Sequence, residues 1–262
     1  MLRRRNWYIG EHGRVGDQRM KQVIVIPARM KGTRLPGKPL IDLCGKPMVQ
    51  RVWERCVGVL SENEVYVATE DAEIVEFCEG KGIQVVNTGP AESAIARVKL
   101  FADVVNADGY INIQGDEPLA NQSDIRTILE YNRKWPGRVV CGKTKATKEE
   151  FYDISKAKVV CAWNNRLLYS TRAGVPLSNQ GGFVCAERAI WLYGFPKNAL
   201  DQYYNGGQYA RLEGIEDNEI IRFLELGVEV YCADVIGDSW AVDVPQDVEV
   251  VRTQLRERGE GV

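Results

Sequence analysis

Val23-Ile24-Val25-Ile26-Pro27-Ala28-Arg29-Met30-Lys31-Gly32-Thr33-Arg34-Leu35-Pro36-Gly37-Lys38-Pro39-Leu40 is an aliphatic run that stops at a proline and passes into a turn of cations. Four consecutive branched aliphatic residues predict a strand buried on both faces, as parallel sheets require. The fourteen positions from Pro27 to Leu40 then hold four cations, two glycines and three prolines. Ligands of open parallel sheets sit beyond the carboxyl ends of the strands, so this turn lies where a substrate binds. Glycines let backbone amides approach an anion, Arg and Lys neutralise it, and prolines stiffen the cradle. The reading is a preorganised phosphate site; its alternative is a solvated connector with chance charges. The turn is not a Walker loop, because Pro39 stands where a hydroxyl is needed, and it lacks the G-x-G-x-x-G fingerprint.

Downstream, short apolar runs alternate with helix-length amphipathic stretches, the pattern of βαβ units and a mainly parallel sheet in an α/β, three-layer fold. Strands are expected at Val65 to Thr69, Val85-Val86 and Tyr110 to Gln114. Helices are expected at Pro47 to Val59, Ala72 to Gly80, Ile95 to Val105 and Ser123 to Tyr131, the last with Ser123 as N-cap. Strand-like pieces at Val139 to Thr144, Ala157 to Trp163, Arg166 to Ser170 and Gly182 to Cys185 predict a small β-rich flap. Helices at Ala186 to Tyr193 and Asn218 to Leu226, a strand at Val228 to Cys232 and a helix from Pro245 complete the pattern. No linker divides residues 20–262, which are read as one domain, whereas 1–19 lack apolar periodicity and are read as a tail.

Composition narrows the partners. With 34 basic and 36 acidic residues the net charge is −2, so no global field recruits nucleic acid or a membrane surface. The seven scattered cysteines form no C-x-x-C pair, which disfavours a disulfide framework or thiolate zinc site and suits the cytoplasm. No stretch approaches a membrane span. The sole histidine, His12, lies in the tail, which argues against His-based catalysis in the folded part.

Gln114-Gly115-Asp116-Glu117-Pro118 ends a predicted buried strand, so Asp116 should emerge at the same sheet edge as the cationic turn. An acid beside a polyphosphate is tolerated when a hard cation lies between them. Mg²⁺ suits that role, because it takes one or two carboxylates plus phosphate oxygens and keeps several waters. Asp243, in a second acidic turn, is the natural partner. Either acid could instead serve as a helix cap or turn residue.

Several of these segments recur together. Ile26-Pro27-Ala28-Arg29, Thr33 to Leu40, Gly45-Lys46-Pro47-Met48, Val67 to Asp71, Asn112 to Leu119 and Val242 to Asp247 resemble, in this order, the motifs of the 3-deoxy-manno-octulosonate cytidylyltransferases. They are similar, less closely, to the sialic-acid cytidylyltransferases. The resemblance implies a Rossmann-like nucleotidyltransferase (GT-A-like) fold, CTP and a 3-deoxy-2-ulosonic acid as substrates, Mg²⁺ as cofactor, a homodimer, and CMP-sugar plus pyrophosphate as products. It implies Arg29, Lys38 and Asp116 as catalytic residues, and Asp116 and Asp243 as metal ligands. Nucleotide contacts would come from Ala28, Arg29, Gly32, Thr33, Arg34, Lys38, Thr69, Ser93, Arg97 and Gln114. Sugar contacts would come from Gln114, Arg172, Gln180 and Glu213, with the Arg172 guanidinium suited to a bidentate grip on the sugar carboxylate.

The chain departs from the family pattern in three places. Gly32 replaces a serine before Thr33-Arg34. A motif close to H-x-S-G-T-x-R, concerned with the base, reads Ala91-Glu92-Ser93-Ala94-Ile95-Ala96-Arg97. The sugar segment around H-I-G aligns with Gln180-Gly181-Gly182-Phe183. Two alternatives therefore stand beside the lead: transfer to another sugar or polyol phosphate with a different base, and a retired transferase that binds without turnover.

Overall fold

Strand β1 (Gln22–Pro27) separates two cores by strict alternation. Val23 and Val25 enter one, Ile24 and Ile26 the other, and all four are fully buried. The computed structural model describes residues 20–32 and 34–261, so the tail expected at 1–19 and the assignment of Thr33 to the phosphate site lie outside them.

The chain continues through α1 (Met48–Val57), β2 (Val65–Thr69), α2 (Ala72–Gly80), β3 (Gln84–Asn87), α3 (Ala94–Val104), β4 (Gly109–Ile113) and α4 (Gln122–Lys134). It then runs through β5 (Val139–Lys145), α5 (Lys148–Tyr152), β6 (Lys158–Cys161), β7 (Leu167–Thr171), β8 (Glu187–Phe195) and α6 (Lys197–Asn205). The last elements are α7 (Arg211–Glu216), α8 (Ile220–Glu225), β9 (Val230–Asp234) and α9 (Pro245–Glu257). The sheet order is β3-β2-β1-β4-β8-β5-β9, with β6 attached to β8 and β7 to β6. Neighbours run parallel from β3 to β4 and between β5 and β9, whereas β8 is antiparallel to both β4 and β5.

Helices α1, α2 and α4 cover the Ile24/Ile26 face, and α3, α6 and α8 the Val23/Val25 face, giving the expected three layers. Phe101 of α3 sits fully buried between Tyr66 and Tyr110, with ring centroids at 5.2 and 6.3 Å, so truncating it should cost about 3–5 kcal/mol. Helix α9 packs Val248, Val251 and Leu255 against Leu43, Met48 and Leu119, which docks the acidic turn before it onto the sheet's carboxyl edge.

Four sequence expectations change. Ala186 to Tyr193 is not a helix but most of β8, a central strand buried on both faces. Its near-continuous apolar run carries no period-two signal to separate it from a helix. Val139 to Thr144 is not flap but main sheet, between β8 and β9. Gly182 to Cys185 forms no strand, because Gly181 and Gly182 both have positive φ, 81° and 89°. Helix α4 is capped by Asn121, whose Oδ1 accepts from the Ser123 amide at 2.9 Å, rather than by Ser123. The flap itself is the β6–β7 hairpin with α5 and the long connection to β8.

Candidate active site

The carboxyl ends of β1 and β4 meet more closely than side chains would permit. A Cβ on Gly115 would lie 2.5 Å from the Pro27 carbonyl oxygen, so glycine there lets the acid-bearing turn approach the cation turn. Gly32 does the same within the cation turn, where a Cβ would stand 2.6 Å from the Leu35 carbonyl oxygen. The serine expected at this position is thus replaced by a residue that tightens the turn. Asp71 anchors its start by accepting from the Met30 amide at 2.7 Å.

The two acids and the cations share one cleft. Lys38 Nζ donates to Asp116 Oδ2 at 2.7 Å and lies 3.6 Å from Asp243 Oδ1, which also accepts from Arg34 at 3.0 Å. Asp116 and Asp243 come from turns far apart in sequence, and the Val242 amide donates to the Asp116 carbonyl at 2.9 Å to hold them together. Ala28, Arg29, Gly32, Ser93, Arg97 and Gln114 line the same cleft. Arg29 is exposed and open to solvent.

Glu117, beside Asp116, turns inward and bonds the Ser239 hydroxyl, tying this turn to the loop before Asp243. Burial pushes its carboxyl up to about 7, against the pull of Ser239. Asp124, buried at the start of α4, accepts from the amides of Ile236 and Gly237 at 2.9 and 2.8 Å and so fixes the same loop. Neither role is read from the sequence; an acid in the first turn of α4 and the Asp-Glu-Pro turn are the available signals.

The wall facing the cations is the N-terminus of α3. Ser93 caps it, its Oγ accepting from the Ala96 amide at 3.2 Å. Arg97 is buried and donates to Thr88 Oγ1 at 2.9 Å, Gly89 O at 3.1 Å and Glu70 at 3.3 Å. Burial lowers its guanidinium, and Glu70 opposes that shift. Of the three departures in the 91–97 segment, Ala91 and Ala94 face the cleft, whereas Ile95 is buried in the core. The wall is therefore methyl-lined where the family pattern offers an imidazole and a bare backbone.

Four residues expected in the site stand outside the cleft. Thr69 is buried and accepts from the Asp71 amide at 3.1 Å, shaping the loop behind Arg97. Arg172 spends its guanidinium on the carbonyls of Ile154, Ser155, Glu216 and Asp217 and the Asp217 carboxylate. Gln180 is exposed in the turn closed by Ser178 and Gly181. Glu213 pairs with Arg222 at 2.5 Å and accepts from Tyr203 OH at 2.8 Å; it reaches the cleft wall only indirectly, since that hydroxyl lies 3.3 Å from Ser93 Oγ.

The donor set fits Mg²⁺. Two carboxylates already share one ammonium, and among the described residues no group of three or more metal-ligating side chains converges. A hard cation here would take two protein oxygens and leave its remaining positions to phosphate and water, as Mg²⁺ prefers.

Known proteins are similar to this chain over most of its length. A cytidylyltransferase family model matches residues 23–229. The 3-deoxy-manno-octulosonate cytidylyltransferase of Koribacter versatilis is 35% identical over 247 residues, covering 94% of each chain. An 8-amino-3,8-dideoxy-manno-octulosonate cytidylyltransferase of Shewanella amazonensis is 33% identical over 90% of this chain and 99% of its own. A solved CMP:2-keto-3-deoxy-manno-octonic acid synthetase in complex with CTP superposes with a TM-score of 0.85 at 32% identity, covering 91% of this chain and 99% of that one. The family model over most of the chain and relatives more than 30% identical over nine tenths of it lead to one conclusion: the chain belongs to the cytidylyltransferase family.

Proposed function

We propose that residues 20–262 act as one nucleotidyltransferase domain that transfers CMP from CTP to the anomeric hydroxyl of a 3-deoxy-2-ulosonic acid, Kdo or a Kdo-like sugar, for surface polysaccharide synthesis. The observation that carries the reading is the Lys38 ammonium between Asp116 and Asp243, in a cleft also lined by Arg29 and Arg34. Relatives named for Kdo and for its 8-amino analogue support the acceptor class.

The anomeric oxygen attacks the α-phosphorus in line, a new P–O bond forms, the bond to pyrophosphate breaks, and the hydroxyl proton passes to solvent or a carboxylate. Asp116 and Asp243 would hold Mg²⁺, which supplies Lewis-acid polarisation of phosphate oxygens and of the attacking hydroxyl. Lys38 then turns its ammonium from the acids to the phosphates, and Arg29 and Arg34 offset charge on the leaving pyrophosphate. Ser93 and the α3 N-terminus form the wall beside the nucleoside, and Gln114 stands between nucleotide and acceptor.

The reading also includes work as a cytoplasmic homodimer. The flap offers surface for a partner copy: Ile154, Trp163, Leu177 and Val184 are all more than half exposed, Trp163 at 93%. No helix among the described residues is long and apolar enough to cross a membrane. The test is pyrophosphate release from each of the four ribonucleoside triphosphates with Kdo, its 8-amino analogue and a panel of sugar and polyol phosphates. Release with CTP and an ulosonic acid alone is the expected result. Release only with another pair, or CTP binding without turnover, overturns it.

A further inference from the structure

The Asp247 carboxylate collects three N–H groups from the segment that carries Asp243. Its Oδ2 accepts from the Asp243 amide at 2.8 Å and the Val244 amide at 2.9 Å, and its Oδ1 accepts from the Trp240 indole at 3.2 Å. Residues 240, 243 and 244 thus close on one side chain in the first turn of α9.

A helix cap accounts for only part of this. Pro245 opens α9 without an amide, and an acid in the first turn ordinarily reaches back to the amide just before the helix, here that of Val244. The bonds to the Asp243 amide and to the indole lie further upstream and satisfy none of the helix's free donors.

Those extra bonds act on a short side chain. Only two rotatable bonds separate an aspartate's carboxylate from its main chain, so the backbone at 242–244 decides where the Asp243 oxygens lie. On one side Val242 is fully buried in a cluster with Leu43, Leu119 and Val248, and its amide donates to the Asp116 carbonyl at 2.9 Å. On the other side Asp247 holds the next two amides, and Val248, Val251 and Leu255 dock α9 behind it. Asp243 is suspended between the Asp116 turn and a packed helix.

The site needs such a hold. Lys38 Nζ stands 2.7 Å from Asp116 and 3.6 Å from Asp243, so two negative charges face each other across one ammonium. When that ammonium turns to a triphosphate, repulsion pushes the more exposed carboxylate, that of Asp243, away from its partner. A divalent ion that takes only two protein oxygens requires both to stay in place. We propose that Asp247 is the positioning residue that holds Asp243 at the cation site, with the Trp240 indole orienting its carboxylate. Asp247 does not line the cleft and acts through Asp243. The proposal rests on the cytidylyl-transfer reading given above, including its Mg²⁺.

Two readouts on the full chain separate this role from capping. The first is the Mg²⁺ concentration that half-saturates pyrophosphate release from CTP and an ulosonic acid. The second, independent of turnover, is the calorimetric CTP affinity in Mg²⁺ and in EDTA without acceptor. Asp247→Ala should raise the half-saturating Mg²⁺ concentration by about tenfold and lose most of the Mg²⁺-dependent gain in CTP affinity, with the affinity in EDTA within about twofold of wild type. Asp247→Asn keeps a carbonyl oxygen for both amides, although its amide group meets the indole N–H, and should recover most of the loss. Trp240→Phe, at an exposed ring, should shift the Mg²⁺ curve by about twofold to threefold with the unfolding midpoint unchanged. Val251→Ala loosens the docking of α9 without touching these bonds, so it should lower the midpoint and leave the Mg²⁺ curve in place.

A wild-type Mg²⁺ curve in Asp247→Ala, or in Trp240→Phe where Asp247→Ala does not fold, overturns the assignment. So does a shift in Val251→Ala as large as that in Asp247→Ala, or an Asp247→Asn variant as impaired as Asp247→Ala. Cytidylyl transfer stands in each of these cases. No Mg²⁺-dependent turnover of CTP with any ulosonic acid by wild type instead brings down the functional reading, and this proposal with it.

Discussion

The cation turn after β1 and the clamped region of the flap and α6–α8 are both rich in charge, and they use it in opposite ways. In the first, Arg29 is open to solvent and Lys38 serves two aspartates at once. In the second, Arg172 has five acceptors, and Arg222 pairs with Glu213 while stacking 4.0 Å from the Tyr203 ring centroid. Charge satisfied internally is scaffold; charge left to face other charge across a cleft is available to a ligand. An arginine's identity therefore says less about its role than the number of acceptors around it does.

Substitutions on the two sides should separate accordingly. Asp116→Asn is nearly isosteric and should leave the fold intact. It removes one of the two carboxylates proposed for the cation, at a cost of several kcal/mol in the transition state, so turnover should fall by roughly 10³-fold or more. Retention of wild-type turnover at limiting Mg²⁺ would place the metal elsewhere. Lys38→Ala should lower kcat by about 10²-fold and also weaken CTP use; unaltered CTP kinetics would remove Lys38 from the site.

On the scaffold side the effect should appear in stability first. Arg172→Gln breaks bonds to charged and carbonyl acceptors. It should cost about 2–3 kcal/mol, lowering the unfolding midpoint by roughly 5–10 °C with the CTP KM unchanged. A variant with wild-type stability but a raised acceptor KM would return Arg172 to the sugar site and erase the contrast.

The smallest expected effect is one of pH. Glu219, whose Oε1 accepts from the Ile95 amide at 3.3 Å, has its carboxyl raised from 4.5 by burial, against the bonds from Ser93 and that amide. A raised carboxyl favours the folded state while protonated, so its contribution is present at low pH and lost as pH rises through the raised value. Glu219→Gln should therefore gain on wild type by a few degrees as pH climbs from about 5 to about 8. Parallel midpoint curves would contradict the burial assigned to Glu219.

The same contrast explains what the sequence disclosed. Residues 27–40 and 114–118 each follow a buried strand directly, so a local reading of period and turn chemistry carried Arg29, Lys38 and Asp116 to one sheet edge. Asp243 was reachable only as a second acidic turn within the family-like segment Val242 to Asp247. The acceptor side was not legible in this way. Arg172 and Glu213 are ordinary polar residues until tertiary structure supplies their partners, and β8 hides its strand character because a strand buried on both faces has no alternation. Nothing local in the sequence marks the role of Gly115, whose lack of a Cβ is what lets the two turns touch.

The central claim is that Asp116 and Asp243 jointly hold the divalent ion that serves a triphosphate gripped by the 29–38 turn. It is tested most directly by titrating Mg²⁺ into pyrophosphate release from CTP and an ulosonic acid, for wild type and Asp243→Asn. The account predicts no release without the ion and a half-saturating Mg²⁺ concentration raised by about tenfold or more in the variant. Superimposable Mg²⁺ curves for the two proteins would contradict it.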